Sequence, residues 1–149
     1  SSRDIAVRFI EYMDVGTTNG WSLDEVVSAS EIRDIIGDFE KITPENKSDV
    51  AKRYKLPNGG EVGIISSVTE PFCNDCTRAR LSSDGRLFTC LFSNKGLDLL
   101  SPIRDGATDD HITDLIREHW NARKDRYSEE RALHSTKKKE KVEMSYIGG

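Results

Sequence analysis

The sequence contains no run of 18 apolar residues, which excludes a helix that spans a bilayer. Its start, Ser1-Ser2-Arg3-Asp4, lacks the basic-then-apolar layout of a secretory leader. An initiator Met is also missing, and the apolar pattern Ile5 to Ile10 begins almost at once, as expected of a chain cut from a longer one or trimmed by processing. There is no cationic excess. The formal net charge of −4 argues against phosphate-backbone binding, so nucleic acid is not an expected partner, and without an apolar run of spanning length neither is a membrane. Cysteine is scarce and odd in number, and three residues cannot close a disulfide framework without leaving one over. A reduced cytoplasmic protein with a metal site fits better. No internal repeat is found. At 149 residues the chain is long enough for one domain with a core and short for two.

What is present reads as α+β. Arg3 to Met13 is expected to form a strand, in which Ile5, Val7 and Phe9 alternate with Ala6, Arg8 and Ile10. The turn-rich stretch Gly16 to Gly20 ends it. Ala29 to Ile36 is expected to be a helix with a capping box, Ser28-x-x-Glu31, an apolar face of Ile32, Ile35 and Ile36, and Gly37 as its stop. Val50 to Leu56 and Glu61 to Val68 read as a hairpin around Pro57-Asn58-Gly59-Gly60. Arg78 to Ser82 and Arg86 to Leu91 read as a second, around Ser83-Asp84-Gly85. A longer helix should begin near Thr108, with Asp109 and Asp110 complementing its dipole and Ile112, Leu115, Ile116 and Trp120 as a core stripe. A charged helical stretch is expected from Arg123 to about Leu133. The lysine run 137–141 reads as a solvated face.

The chemistry concentrates in Cys73-Asn74-Asp75-Cys76, followed after thirteen residues by Cys90. A C-x-x-C loop places two thiolates where one metal centre can take both. The turn of the second hairpin lies midway through the spacer, so Cys90 is expected to return beside the pair. A redox dithiol, or a zinc site completed by a histidine, would give the same spacing. The three histidines, His111, His119 and His134, lie in or after the late helical region without ligand-like spacing. Three thiolates without an obvious fourth ligand suit a four-iron cluster with one iron left open as a Lewis acid.

Phe72-Cys73-Asn74-Asp75-Cys76-Thr77-Arg78-Ala79-Arg80-Leu81-Ser82-Ser83-Asp84-Gly85 and Cys90-Leu91-Phe92 resemble the C-terminal cluster segment of the radical S-adenosylmethionine GTP 3′,8-cyclases of molybdenum cofactor biosynthesis. Arg8-Phe9-Ile10-Glu11-Tyr12-Met13, Asp125-Arg126-Tyr127-Ser128 and Tyr146-Ile147-Gly148-Gly149 match the same family, so the likeness runs from end to end. The resemblance implies antiparallel hairpins with flanking helices, as the C-terminal part of an incomplete TIM-type radical S-adenosylmethionine barrel. Residues 1–20 would be the last barrel strand region, and residues 21–149 a cluster and GTP-binding domain. It implies a second [4Fe-4S] cluster on Cys73, Cys76 and Cys90, with GTP held through its purine at the open iron. Arg78, Ala79, Arg80 and Arg8 are then expected to contact GTP, Met13 to lie near S-adenosylmethionine, and Gly148 and Gly149 to form a tail that enters the active site. A full-length homodimer and hand-over to the next enzyme of the pathway are implied as well. The departure is that no C-x-x-x-C-x-x-C, the motif of the radical-generating cluster, occurs in the 149 residues. The radical-generating N-terminal part is therefore expected to be missing and this chain alone to be inactive. The competing expectation is a zinc-stabilised C-x-x-C binding module without catalysis. The Gly-Gly end also invites a ubiquitin-like reading, which the charged helical stretch and lysine run before it argue against.

Overall fold

A computed structural model describes residues 5–37, 39–46, 49–134 and 142–147. The chain is α+β and divides into two compact units. Unit 1 is Ser1–Met13 with Trp21–Cys76, and unit 2 is Asp14–Gly20 with Thr77–Gly149.

Unit 1 is built on a mixed four-stranded sheet. Its strands are β1 (Ala6–Ile10), β2 (Glu40–Lys41), β3 (Lys52–Lys55) and β4 (Glu61–Ile65), in the order β1-β4-β3-β2. β3 and β4 form the expected hairpin. Its turn closes through Gly59 N–H to the Leu56 carbonyl (2.9 Å) and Leu56 N–H to the Gly60 carbonyl (2.8 Å), and Gly59 takes the positive φ that a side chain would resist. β1 joins in parallel against β4, with Arg8 opposite Gly63. That pairing was not legible in the sequence, because a parallel ladder joins residues too far apart for any local turn signal. Helix α1 (Ala29–Ile36) has the expected capping box: Glu31 N–H donates to Ser28 Oγ, and Ser28 N–H donates to the Glu31 carboxylate. Of its expected apolar face, Ile32 and Ile36 pack on the sheet while Ile35 is exposed, so that Ala29, Ile32, Tyr54, Val62 and Ile64 form one buried cluster with Ile36, Phe39 and Leu56 at its margin. Burying a side chain such as Ile64 contributes about 2 kcal/mol, so this cluster is what holds helix and sheet together.

Unit 2 carries a three-stranded antiparallel sheet, β5 (Arg80–Leu81), β6 (Arg86–Phe88) and β7 (Leu97–Asp98), in that order. Among the described residues, three α-helices follow: α2 (Leu100–Arg104), α3 (Asp109–Asn121) and α4 (Tyr127–His134). Among the described residues, Phe88, Leu99 and Ile147 are its buried apolar residues. α3 begins where expected, with Thr108 Oγ1 accepting from His111 N–H. Its expected core role is corrected: Ile112, Leu115 and Trp120 are only half-buried and Ile116 is exposed. Helical spacing marks which face is apolar, but it does not say how much partner surface exists to cover that face.

Candidate metal and anion site

The segment from β4 to the first cysteines is tightly held within unit 1. Ser66 and Ser67 are buried just after β4. The backbone N–H groups of Val68 and Thr69 both donate to one carboxylate oxygen of Glu11, at 2.7 and 2.8 Å. Glu70 forms an ion pair with Lys52 of β3. Pro71 then fixes one further φ, and a single 3₁₀ turn, Cys73–Asp75, presents the C-x-x-C. Cys76 N–H closes that turn onto the Cys73 carbonyl at 3.3 Å. Both thiols are half-exposed, and neither is in a disulfide. Two soft donors on one tight turn, open to solvent on one side, can reach a single metal centre.

Cys90 lies in unit 2, two residues beyond β6, in a turn rather than in the longer strand expected for Arg86 to Leu91. Its sulfur accepts from Phe92 N–H at 3.5 Å. Thr89, beside it, donates its hydroxyl to Asp125 at 2.6 Å, and Phe92 stacks on Tyr127 with ring centroids 4.5 Å apart. Among the described residues, no group of three or more His, Cys, Asp or Glu is arranged to hold a metal ion. The donor set itself, three half-exposed thiols not in disulfides, has the chemistry that an iron–sulfur cluster or zinc requires.

The strand expected to run from Arg78 to Ser82 is corrected in part. β5 contains only Arg80 and Leu81, so exposed Arg78 and Ala79 lie in the connection between Cys76 and that strand. Arg80 is half-buried on the strand itself. Arg8 is exposed on β1 and lies across Gly63, where any Cβ would come within 2.5 Å of its side chain. Its guanidinium binds Glu61 at 2.8 Å, and the same carboxylate takes Arg53 at 2.7 Å. The hydrogen bonds from Arg53, with those from Arg8, pull Glu61 down to about 2. Met13 is half-buried just past β1. The tail glycines Gly148 and Gly149 lie outside the described residues, as does the lysine run.

The segment before the tail is anchored within unit 2. Glu143 accepts from Thr17 N–H (2.7 Å) and Thr17 Oγ1 (2.9 Å), and Ile147 is buried. The Tyr146 hydroxyl donates to Asp84 at 2.5 Å, which raises the tyrosine above its ordinary value; Ser82 and then Tyr146 hold Asp84 below its own. Near it a cavity of about 400 Å³ is lined by Arg86, Phe88, Lys95 and Tyr146 among others.

Sequence reasoning gave no role to Glu11, Asp14, Asp125 or Tyr127, although each stands in or beside a segment singled out as a motif. A carboxylate at the end of an apolar strand was the available signal, since such a charge is costly to bury without dedicated donors.

Residues 5–129 match the family described as Molybdenum Cofactor Synthesis C. The chain is 46% identical over 154 residues to a GTP 3′,8-cyclase of Staphylococcus haemolyticus, covering 99% of this chain and 45% of that protein. It is 41% identical over 150 residues to the GTP 3′,8-cyclase of a Synechococcus species, covering 99% of this chain and 44% of the relative. With the GTP 3′,8-cyclase of Xanthomonas campestris it is 45% identical over 147 residues, covering 96% and 42%. The chain thus spans under half the length of these relatives.

Proposed function

The chain belongs to the Molybdenum Cofactor Synthesis C family, and from that premise we propose that it is the substrate-side portion of a GTP 3′,8-cyclase. In this reading Cys73, Cys76 and Cys90 hold a [4Fe-4S] cluster and the neighbouring arginines hold GTP. The observation that carries it is a set of three half-exposed thiols, two on one turn, in a chain 41–46% identical over nearly its whole length to proteins with that activity. Such a cluster, with three protein ligands, supplies an open iron that acts as a Lewis acid toward a purine nitrogen or oxygen.

The residues of this chain do the rest. The thiols give up their protons to become ligands, so loading strengthens as pH rises. Arg78 and Arg80 offer guanidinium forks to phosphate oxygens, a geometry that lysine does not match. Ala79 between them leaves room for close approach. Arg8 reaches a triphosphate only by exchanging Glu61 for it, and Arg53 remains to neutralise that carboxylate. Met13 contributes to the S-adenosylmethionine side, and Gly148-Gly149 reach the reacting centre from the anchored segment 143–147. The same reading makes β1 part of an incomplete barrel. It also carries a cytoplasmic homodimer that passes its product to the next enzyme of molybdenum cofactor synthesis. No described helix is long and apolar enough to cross a membrane.

The alternative is a zinc-stabilised binding module without catalysis. Anaerobic reconstitution with iron and sulfide separates the two. The expected outcome is a brown protein absorbing near ~400 nm, whereas a colourless protein with one stoichiometric zinc overturns the cluster. Cys90→Ser should lower iron content and weaken GTP binding. Changing Arg78 and Arg80 together to Ala should weaken triphosphate binding and leave iron content unchanged. Loss of iron in that double variant would mean that the arginines are structural.

A further inference from the structure

Glu11 and Asp14 are buried carboxylates, 1% and 6% exposed, for which the proposed chemistry has no direct use. Each is held by hydrogen bonds, as a buried charge requires. Within unit 1, Glu11 Oε1 accepts from Ala29 N–H (2.8 Å) and Thr69 Oγ1 (2.5 Å), and Oε2 accepts from the N–H groups of Val68 (2.7 Å) and Thr69 (2.8 Å). The Glu11 carbonyl also accepts from Ser67 Oγ at 3.3 Å. Three successive residues, 67 to 69, are therefore tied to Glu11, and Cys73 follows four residues later.

Within unit 2, Asp14 accepts from the Tyr127 hydroxyl (2.6 Å) and from Arg131 Nε (2.8 Å). Both of these side chains pack on Phe92: Tyr127 stacks on it at 4.5 Å, and the Arg131 guanidinium lies 5.5 Å from its ring centroid. The Phe92 N–H in turn donates to Cys90 Sγ. On the other side of Cys90, Thr89 is fixed by Asp125.

We propose that Glu11 and Asp14 are positioning residues for the thiolates. Glu11 fixes the segment that delivers Cys73 and Cys76, and Asp14, acting through Tyr127 and Phe92, fixes the turn that presents Cys90. This rests on the reading that the three cysteines ligate a metal. The physical argument is that a ligand's affinity for metal depends on how little order it must gain on binding, so a thiol on a pinned turn binds tighter than one on a loose turn. An N–H aimed at a coordinated sulfur also tunes the metal it binds.

The test is cobalt(II) titration of the reduced 149-residue chain under anaerobic conditions, because the charge-transfer and d–d bands report thiolate ligation whatever the resident metal. Glu11→Gln and Asp14→Asn should each weaken cobalt affinity by about 10- to 100-fold and alter the d–d pattern. Thr69→Val and Tyr127→Phe each remove one of these hydrogen bonds from the donor side with little change of shape, and should give smaller losses in the same direction with unchanged circular dichroism. If the carboxylate variants do not fold, this second pair decides. Wild-type affinity and spectrum in the folded variants overturns the inference. Wild-type protein that takes cobalt but cannot be reconstituted with iron and sulfide overturns the cluster and leaves positioning to the variants. Wild-type protein that takes neither metal overturns both.

Discussion

At the scale of the residue, Arg8, Gly63 and Glu61 illustrate how a charge on an apolar strand is managed. Gly63 has no side chain, so Arg8 can lie flat across β4 and reach Glu61, which Arg53 holds from the other side. Two cations on one carboxylate stabilise its ionised form and lower it from 4.5 to about 2. A depressed carboxylate contributes stability that is complete above its unfolded value and is lost as pH falls through its folded value. The contribution of Glu61 should therefore be constant at neutral pH and disappear between roughly 4.5 and 2. Urea titrations of the wild type and Glu61→Gln at a series of pH values check this. The difference in midpoint should be level above pH 5 and close as the pH drops. A difference that instead grew on acidification would mean that Glu61 is not the anchor of this triad.

At the scale of the element, the sequence was most informative where one short segment carries the whole signal. The box Ser28-x-x-Glu31, the Thr108 cap and the Pro57–Gly60 turn each satisfy their backbone groups from within four or five residues, and each forms where expected. β2, β7 and α2 had no such signal, since two-residue strands and a five-residue helix are held by their neighbours rather than by their own pattern. The cysteine segment shows the same division. C-x-x-C was legible because its two ligands are local, while the Glu11 and Asp14 contacts that hold the segments span 57 and 113 residues of sequence. Strand length was overestimated around Cys90 because the apolar residues Cys90 and Leu91 continue past Phe88, the last ladder residue of β6. The local signals can be tested locally. Ser28→Ala removes the acceptor for Glu31 N–H and one arm of the box, and should destabilise unit 1 by about 1 kcal/mol, read as a shift in thermal midpoint. Ser28→Asp, which keeps an acceptor in the same place, should restore most of it.

At the scale of the whole molecule, the least balanced feature is β1. It stands at one edge of the unit 1 sheet, paired only to β4, and all five of its residues are exposed. Ile5, Val7, Phe9 and Ile10 present apolar surface along it, 38% to 62% exposed. A strand of this kind offers unpaired N–H and C=O groups beside apolar side chains, which is a template for another strand. The usual devices against such pairing are a charge pointing along the edge, a bulge or a proline. β1 has only Arg8, and Glu61 already engages it. Burial of that surface outweighs the cost of association once protein is concentrated, because each exposed apolar side chain contributes on the order of 1 kcal/mol or more when covered. The isolated 149-residue chain should therefore self-associate with concentration, seen as a rising weight-average mass in light scattering. Val7→Lys adds an unpaired cation to the exposed strand and should return the chain to a monomer, while the circular dichroism of the wild type is retained. Self-association that persists unchanged in Val7→Lys, or a wild type that stays monomeric at millimolar concentration, would show that this edge is not sticky and that the exposed apolar strand is tolerated.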